Sequence, residues 1–164
     1  MNTALVLNDS DLTFNVFVDY KLPTDLETLE AEFSKDGVAE ELYEISWKLD
    51  PSCAEIDQTP GNRVMLLKCF KRDTTPEENI TEMGKLGFHP AIHLEAYAFA
   101  KANPDLQLQY EIVALGSYGL YIDGYTHLVV LDSDSGQRIF CTQWAEYLYG
   151  YQGYSELQFL FVRK

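Results

Sequence analysis

His89 and His93 stand four residues apart, a spacing that puts two imidazoles on one face of a helix, as zinc sites need. No second pair of ligands has a matching spacing: Cys53, Cys69 and Cys141 are isolated, and His127 falls in a strand-like run. Pro90 also places His89 at a helix cap rather than inside the helix, so both histidines are expected as surface or capping groups and no metal is expected. Asp132, Asp134 and Gly136 resemble the opening of a calcium loop, but Arg138 and a strand follow at once, where such a loop needs further oxygen ligands and a closing Glu. Asp, Ser and Gly together are what a tight hairpin turn wants. No Gly-x-Ser-x-Gly elbow and no glycine-rich phosphate loop is present, and carboxylate pairs carry no information in so acidic a chain. No catalytic residue and no cofactor is nominated.

Aromatic residues give the stronger pattern. Seven of the 11 tyrosines fall between Tyr118 and Tyr154. Tyr147, Tyr149, Tyr151 and Tyr154 lie in one loop-like segment with Gly150, Gln152, Gly153 and Ser155, close behind Trp144. Tyrosine mixed with Gly, Ser and Gln is paratope-like composition, offering large contact area for a small entropy loss. The plainer reading is a satellite cluster packed under a long loop. The expected ligand-binding residues are these four tyrosines with Trp144, Tyr121 and Tyr125, and the expected partner is a protein or another macromolecule.

Charge narrows the choice of partner. The chain has 164 residues, is 46% apolar, and carries 26 acids against 12 Lys and Arg, for a net charge of −14. Residues 1–60 hold 14 of those acids and only Lys21, Lys35 and Lys48 as bases. Such a face repels phosphate, so direct nucleic-acid binding is not expected. It is either a solubilising surface or, as the alternative function, a decoy that offers the carboxylates of residues 19–57 to a basic partner. An enzyme of unknown type is the third reading. No apolar run reaches the ~20 residues that span a bilayer, and the N-terminus lacks a basic, then apolar, leader pattern. The expected location is the cytoplasm, with the cysteines as reduced thiols, Cys69 and Cys141 acting as small hydrophobes in apolar strands.

The elements that position these residues follow from period and punctuation. Residues 13–20 alternate as a strand, and Thr24 with Glu27 reads as a capping box for a helix through Leu26, Leu29 and Phe33 that Gly37 ends. Residues 42–49 fit either a helical turn or a strand. Residues 64–70 form a continuous apolar strand. Thr75 and Pro76 open a helix over about 76–87 that Gly87 closes, and a second helix is expected from Pro90 to about Ala102. Strands follow at 112–115, 120–122, 126–131, 138–144 and 157–163, with Asp123-Gly124 as a hairpin turn. The sum is one α+β domain over 1–164, with an acidic N-terminal part at 12–58 and a core part at 63–164. Its sheet is expected to be mainly antiparallel, with the helices at 76–87 and 90–102 on one side.

Several stretches together resemble a bacterial family frequent in small-genome candidate-phylum bacteria. They are Val18-Asp19-Tyr20, Leu86-Gly87-Phe88-His89-Pro90-Ala91, Ile112-Val113-Ala114-Leu115-Gly116-Ser117 and the terminal Phe159-Leu160-Phe161-Val162-Arg163-Lys164. Members share an Arg-Pro-Ala helix start, an Ile-Val-Ala-Leu-Gly-Ser strand and a Phe-Leu-x-Val-Arg-Lys terminus. In them the segment before the final strand is similar to C-type-lectin-like variable domains, hypervariable around fixed tryptophans. Trp144 fits the first of these, and the second is absent here. The resemblance implies a terminal strand paired near strand 64–70 and a non-enzymatic recognition module displaying the 118–155 loops. It supplies no catalytic residues.

Overall fold

Four runs have no polar alternation and are buried throughout: Met65 to Leu67, Ile112 to Leu115, Leu128 to Leu131 and Phe159 to Val162. Successive strand residues point to opposite faces, so strands of this kind must be covered on both sides. The computed structural model describes residues 11–33, 41–70, 74–150 and 157–164. Within it the strands are β1 (Leu12–Val18), β2 (Ser46–Leu49), β3 (Gly61–Cys69), β4 (Phe88–Pro90), β5 (Ile112–Leu120), β6 (Thr126–Asp134), β7 (Gln137–Trp144) and β8 (Gln158–Arg163). The helices are α1 (Leu26–Glu32), α2 (Glu41–Glu44), α3 (Pro76–Lys85), α4 (His93–Ala102) and α5 (Ala145–Gly150).

One sheet takes all eight strands in the order β1-β3-β8-β5-β6-β7, with β2 added against β5 and β4 against β8. Every pairing is antiparallel except β5 with β8, where Ile112 lies opposite Gln158. The fold is therefore α+β and mainly antiparallel. The terminal strand does pair with β3, Met65 standing opposite Val162.

The two helices do not share a side, contrary to the sequence-based expectation. Met65, Leu67, Leu160, Val162, Ile112 and Ala114 pack with Ala96 and Phe99 of α4 and with Leu29 and Leu42. The alternate residues Leu66, Phe159, Phe161, Val113 and Leu115 pack with Met83 of α3 and Leu148 of α5. The reason is the period itself: strands apolar at every position create two cores, and each needs its own helix. No helix of the described residues is long and apolar enough to cross a membrane.

Local chemistry explains several boundaries. Thr75 caps α3 in a full capping box with Glu78, and Gly87 follows at φ 82. α1 is capped by Asp25, whose carboxylate accepts from Thr28 N, rather than by Thr24; Gly37 lies outside the described residues. The ambiguous 42–49 stretch is both things in turn, α2 and then β2. Residues 112–120 form one strand with a register shift between Ala114 and Gly119, so Leu120 closes β5 instead of opening another strand. The second helix starts at His93, not Pro90, because residues 88–90 are taken up as β4 beside β8. Cys53 is the fully buried thiol and Cys69 is exposed, the reverse of the expectation for Cys69.

Candidate functional site

The β5–β6 turn, Tyr121 to Tyr125, is built around one carboxylate. Gly124 at φ 81 lets the chain reverse, and its N–H donates to Tyr121 O at 2.9 Å. Asp123 Oδ1 then accepts from Tyr125 N at 2.8 Å, while Oδ2 accepts from Trp144 Nε1 at 3.1 Å and pairs with His127 Nε2 at 2.9 Å. His127 is fixed in turn by Thr142 Oγ1 at 3.0 Å. Partial burial alone would raise the Asp123 carboxyl, but the Tyr125, His127 and Trp144 donors overcome it and hold the group below the usual carboxylate range. This places the Trp144 indole against the Tyr125 ring, stacked at 4.6 Å between centroids. Both rings stay 44% exposed, and Ile122 in the same turn is 92% exposed. Tyr121 packs edge-on to His127 at 5.6 Å and donates its hydroxyl to Glu44 at 3.0 Å.

Of the expected site residues, Trp144, Tyr125 and Tyr121 thus meet at one end of the sheet. Tyr147 and Tyr149 follow in the backbone of α5, so the segment after Trp144 opens as a helix and not as a loop; their side chains lie outside the described residues, as do Tyr151 and Tyr154. Leu148 between them is buried in the core beside α3. The Asp132–Gly136 stretch is the β6–β7 hairpin turn that its composition suggested. Ser135 and Gly136 both have positive φ, 52 and 78, as a two-residue hairpin loop requires. Among the described residues no three His, Cys, Asp or Glu side chains gather as metal ligands would.

The histidines are where sequence reasoning went furthest astray. His89 is buried, not a surface group, and His89 and His93 belong to different elements, whereas His127 lies in strand β6 as expected. At the β4–α4 corner the Glu95 carboxylate is wholly buried. It accepts from Ile92 N at 3.0 Å and Tyr20 Oη at 3.0 Å, and His89 Nε2 lies 3.1 and 3.2 Å from its two oxygens. Arg63 Nε reaches the same cluster through Tyr20 Oη at 3.1 Å. Burial, then the Glu95 charge, pushes the Tyr20 hydroxyl up to about 12, and Tyr20 sits at φ 57, a left-handed conformation that a bulky residue keeps only under constraint. His93 is separate: it stacks on Trp47 at 4.6 Å, burial pushes its imidazole down to about 4, and its Nδ1 lies 3.0 Å from Ser117 Oγ, which accepts from His93 N at 2.8 Å. Cys53 Sγ donates to Pro90 O, and burial raises its thiol to about 12, which removes it as a nucleophile near neutral pH.

Beside this corner lies a cavity of about 540 Å³. Ala54, Ile56, Arg63, His89, Arg163 and Lys164 are among its walls. None of these was singled out as a site residue except His89, considered as a metal ligand. The cavity joins residues from four separated stretches of chain, which spacing along the sequence does not reveal. Comparison with known proteins finds no matching family model, no matching curated protein and no matching solved structure.

Proposed function

We propose that the protein is a non-enzymatic recognition module that binds a partner protein with the aromatic end of its sheet. The observation that carries this reading is the Tyr125–Trp144 stack, half-exposed yet pinned through Asp123. Rigid aromatic surface loses little entropy on binding and is the kind of surface from which binding hot spots are drawn. Ile122 in the same turn adds an apolar contact that has no role in the protein's own core. Tyr147, Tyr149, Tyr151 and Tyr154 follow Trp144 in the chain and extend the same surface in this reading. A photo-crosslinker at position 122 should capture one principal partner from cells of origin. Trp144→Ala should weaken that complex about 30-fold, a hot-spot loss of about 2 kcal/mol, without lowering the melting temperature appreciably. Equal affinity in Trp144→Ala and Tyr125→Ala would overturn the reading.

A further inference from the structure

The cavity at the β4–α4 corner has features that the recognition surface does not use. Its walls carry Arg63, Arg163 and Lys164 against Glu55 and Asp57, a locally positive lining in a chain of net charge −14. Arg63 is committed to structure: its guanidinium donates to Tyr20 Oη and to the carbonyls of Asp57, Thr59 and Asn62, and it lies 3.8 Å from the Asp57 carboxylate. Arg163 lies over the Phe88 ring at 5.5 Å. No carboxylate of the described residues comes within ion-pair distance of either Arg163 or Lys164. Pro51, Ala54 and Ile56 give part of the lining an apolar character.

A second observation comes from His89. Its side chain is 4% exposed and its Nε2 is turned to Glu95. Its Nδ1 is buried with no hydrogen-bond partner among the described residues. Unpartnered buried polar atoms are rare in native proteins, and each calls for an explanation. Here the ring forms part of the cavity wall. With Nε2 turned to the Glu95 carboxylate, Nδ1 is the ring nitrogen left to meet a polar group in the cavity.

We propose that this cavity binds a small organic anion, its carboxylate or phosphate head held by Arg163, Lys164 and His89 Nδ1 and its apolar body laid against Pro51, Ala54 and Ile56. The volume suits such a molecule, since small-ligand sites run from about 300 to 1,000 Å³ and combine apolar walls with a few convergent polar groups. This site is independent of the aromatic end, so either can fail alone.

The test is calorimetric titration of the full chain with hexanoate, hexyl phosphate, inorganic phosphate and hexanol. Saturable binding of one or both hexyl anions is expected, with none for hexanol; the stronger of hexanoate and hexyl phosphate identifies the head group. The double variant Arg163→Ala, Lys164→Ala changes exposed side chains only. It should keep the wild-type melting temperature and bind the anion at least about tenfold more weakly, the loss expected for a charged hydrogen bond. Nitrogen NMR of His89 should show the Nδ1 resonance moving as ligand is added. No saturable binding of either anion up to its solubility limit, or equal affinity in the double variant, overturns the proposal. Saturable binding that leaves the His89 resonances unmoved overturns the part given to His89.

Discussion

Glu95 and Asp123 perform the same chemistry at two places. Each carboxylate takes a backbone N–H from a residue nearby in sequence, Ile92 or Tyr125. Each pairs with a histidine Nε2, that of His89 or His127, and each accepts from an aromatic side chain, Tyr20 or Trp144. They differ in water. The Glu95 side chain is fully buried, whereas that of Asp123 is 27% exposed. A dry carboxylate is bound to its partners because none of them has water as a substitute. A wet one orders its partners locally, and the sheet stands without it. Burial, more than the number of bonds, decides whether such a cluster belongs to stability or to surface shape.

Removing each carboxylate should separate the two roles. Glu95→Ala leaves His89, the Ile92 N–H and the Tyr20 hydroxyl proton without their acceptor in the core and should cost about 3–5 kcal/mol, the sum of a few buried polar groups left unsatisfied. In a chain of this length that is about 10 °C of melting temperature. Denaturant and thermal melts read it directly, and a loss under 1 °C would break the comparison. Glu95→Gln keeps an acceptor for Tyr20 and should fall between wild type and Glu95→Ala.

Glu111 provides an intermediate point. Burial first, and the Asp132 charge second, push its carboxyl up to about 7. A raised carboxyl binds a proton more tightly folded than unfolded. Its contribution is therefore complete below the unfolded value of about 4.3 and is lost as pH rises through about 7. The group is half exposed, so screening leaves about 1 kcal/mol of that dependence. Glu111→Gln should flatten the stability-against-pH curve between about pH 4 and 7, and an unchanged slope there would remove it from the series. His93, its pKa depressed to about 4 by burial, acts oppositely. Its contribution is full above about 6.5 and falls as pH drops towards 4, so His93→Phe should remove that acid-side loss.

The smallest expected effect on stability is that of Asp123→Ala. It should leave the melting temperature nearly unchanged while releasing the Trp144 indole. Trp144 is one of two tryptophans, so a Trp47→Phe background isolates its emission, and the variant should show lower anisotropy. Because the Asp123 carboxyl is depressed, its bonds hold at all pH above the unfolded value near 3.9 and give way only as pH falls through the lower folded value. The Trp144 signal should therefore be flat from neutrality to about pH 4 and change below it. A transition well above pH 4 would break the assignment of Asp123 as the organising group.

What could be read from the sequence divides along the same line. Thr75-Pro76 with Glu78, Asp123-Gly124 and Ser135-Gly136 act within a few residues, and each produced the cap or turn that its chemistry demands. The central strands at 64–70, 112–115, 126–131 and 157–163 were visible as apolar runs, but the sidedness of the helices was not, because a run that is apolar at every position does not say which face meets which helix. The buried cluster was illegible for a different reason. Tyr20 and Glu95 are 75 residues apart and Asp123 and Trp144 are 21 apart, and no local pattern couples them. His89 misled because Pro90 is a common helix opener, yet here β8 claimed residues 88–90 as a strand.

The position of β8 also bears on the order of events in time. Residues 158–163 lie between β3 and β5, bridging the β1–β3 pair to the β5–β6–β7 meander. The β5–β6–β7 meander forms from consecutive strands and short turns, and β1 and β3 pair across the residues between Val18 and Gly61, whereas β8 must find β3 roughly ninety positions back along the chain and β5 roughly forty-five back. Loop closure over such separations is slow relative to local pairing. During synthesis the two flanking units therefore emerge with open edges and uncovered apolar faces, and they are joined only when the strand made after both of them arrives between them.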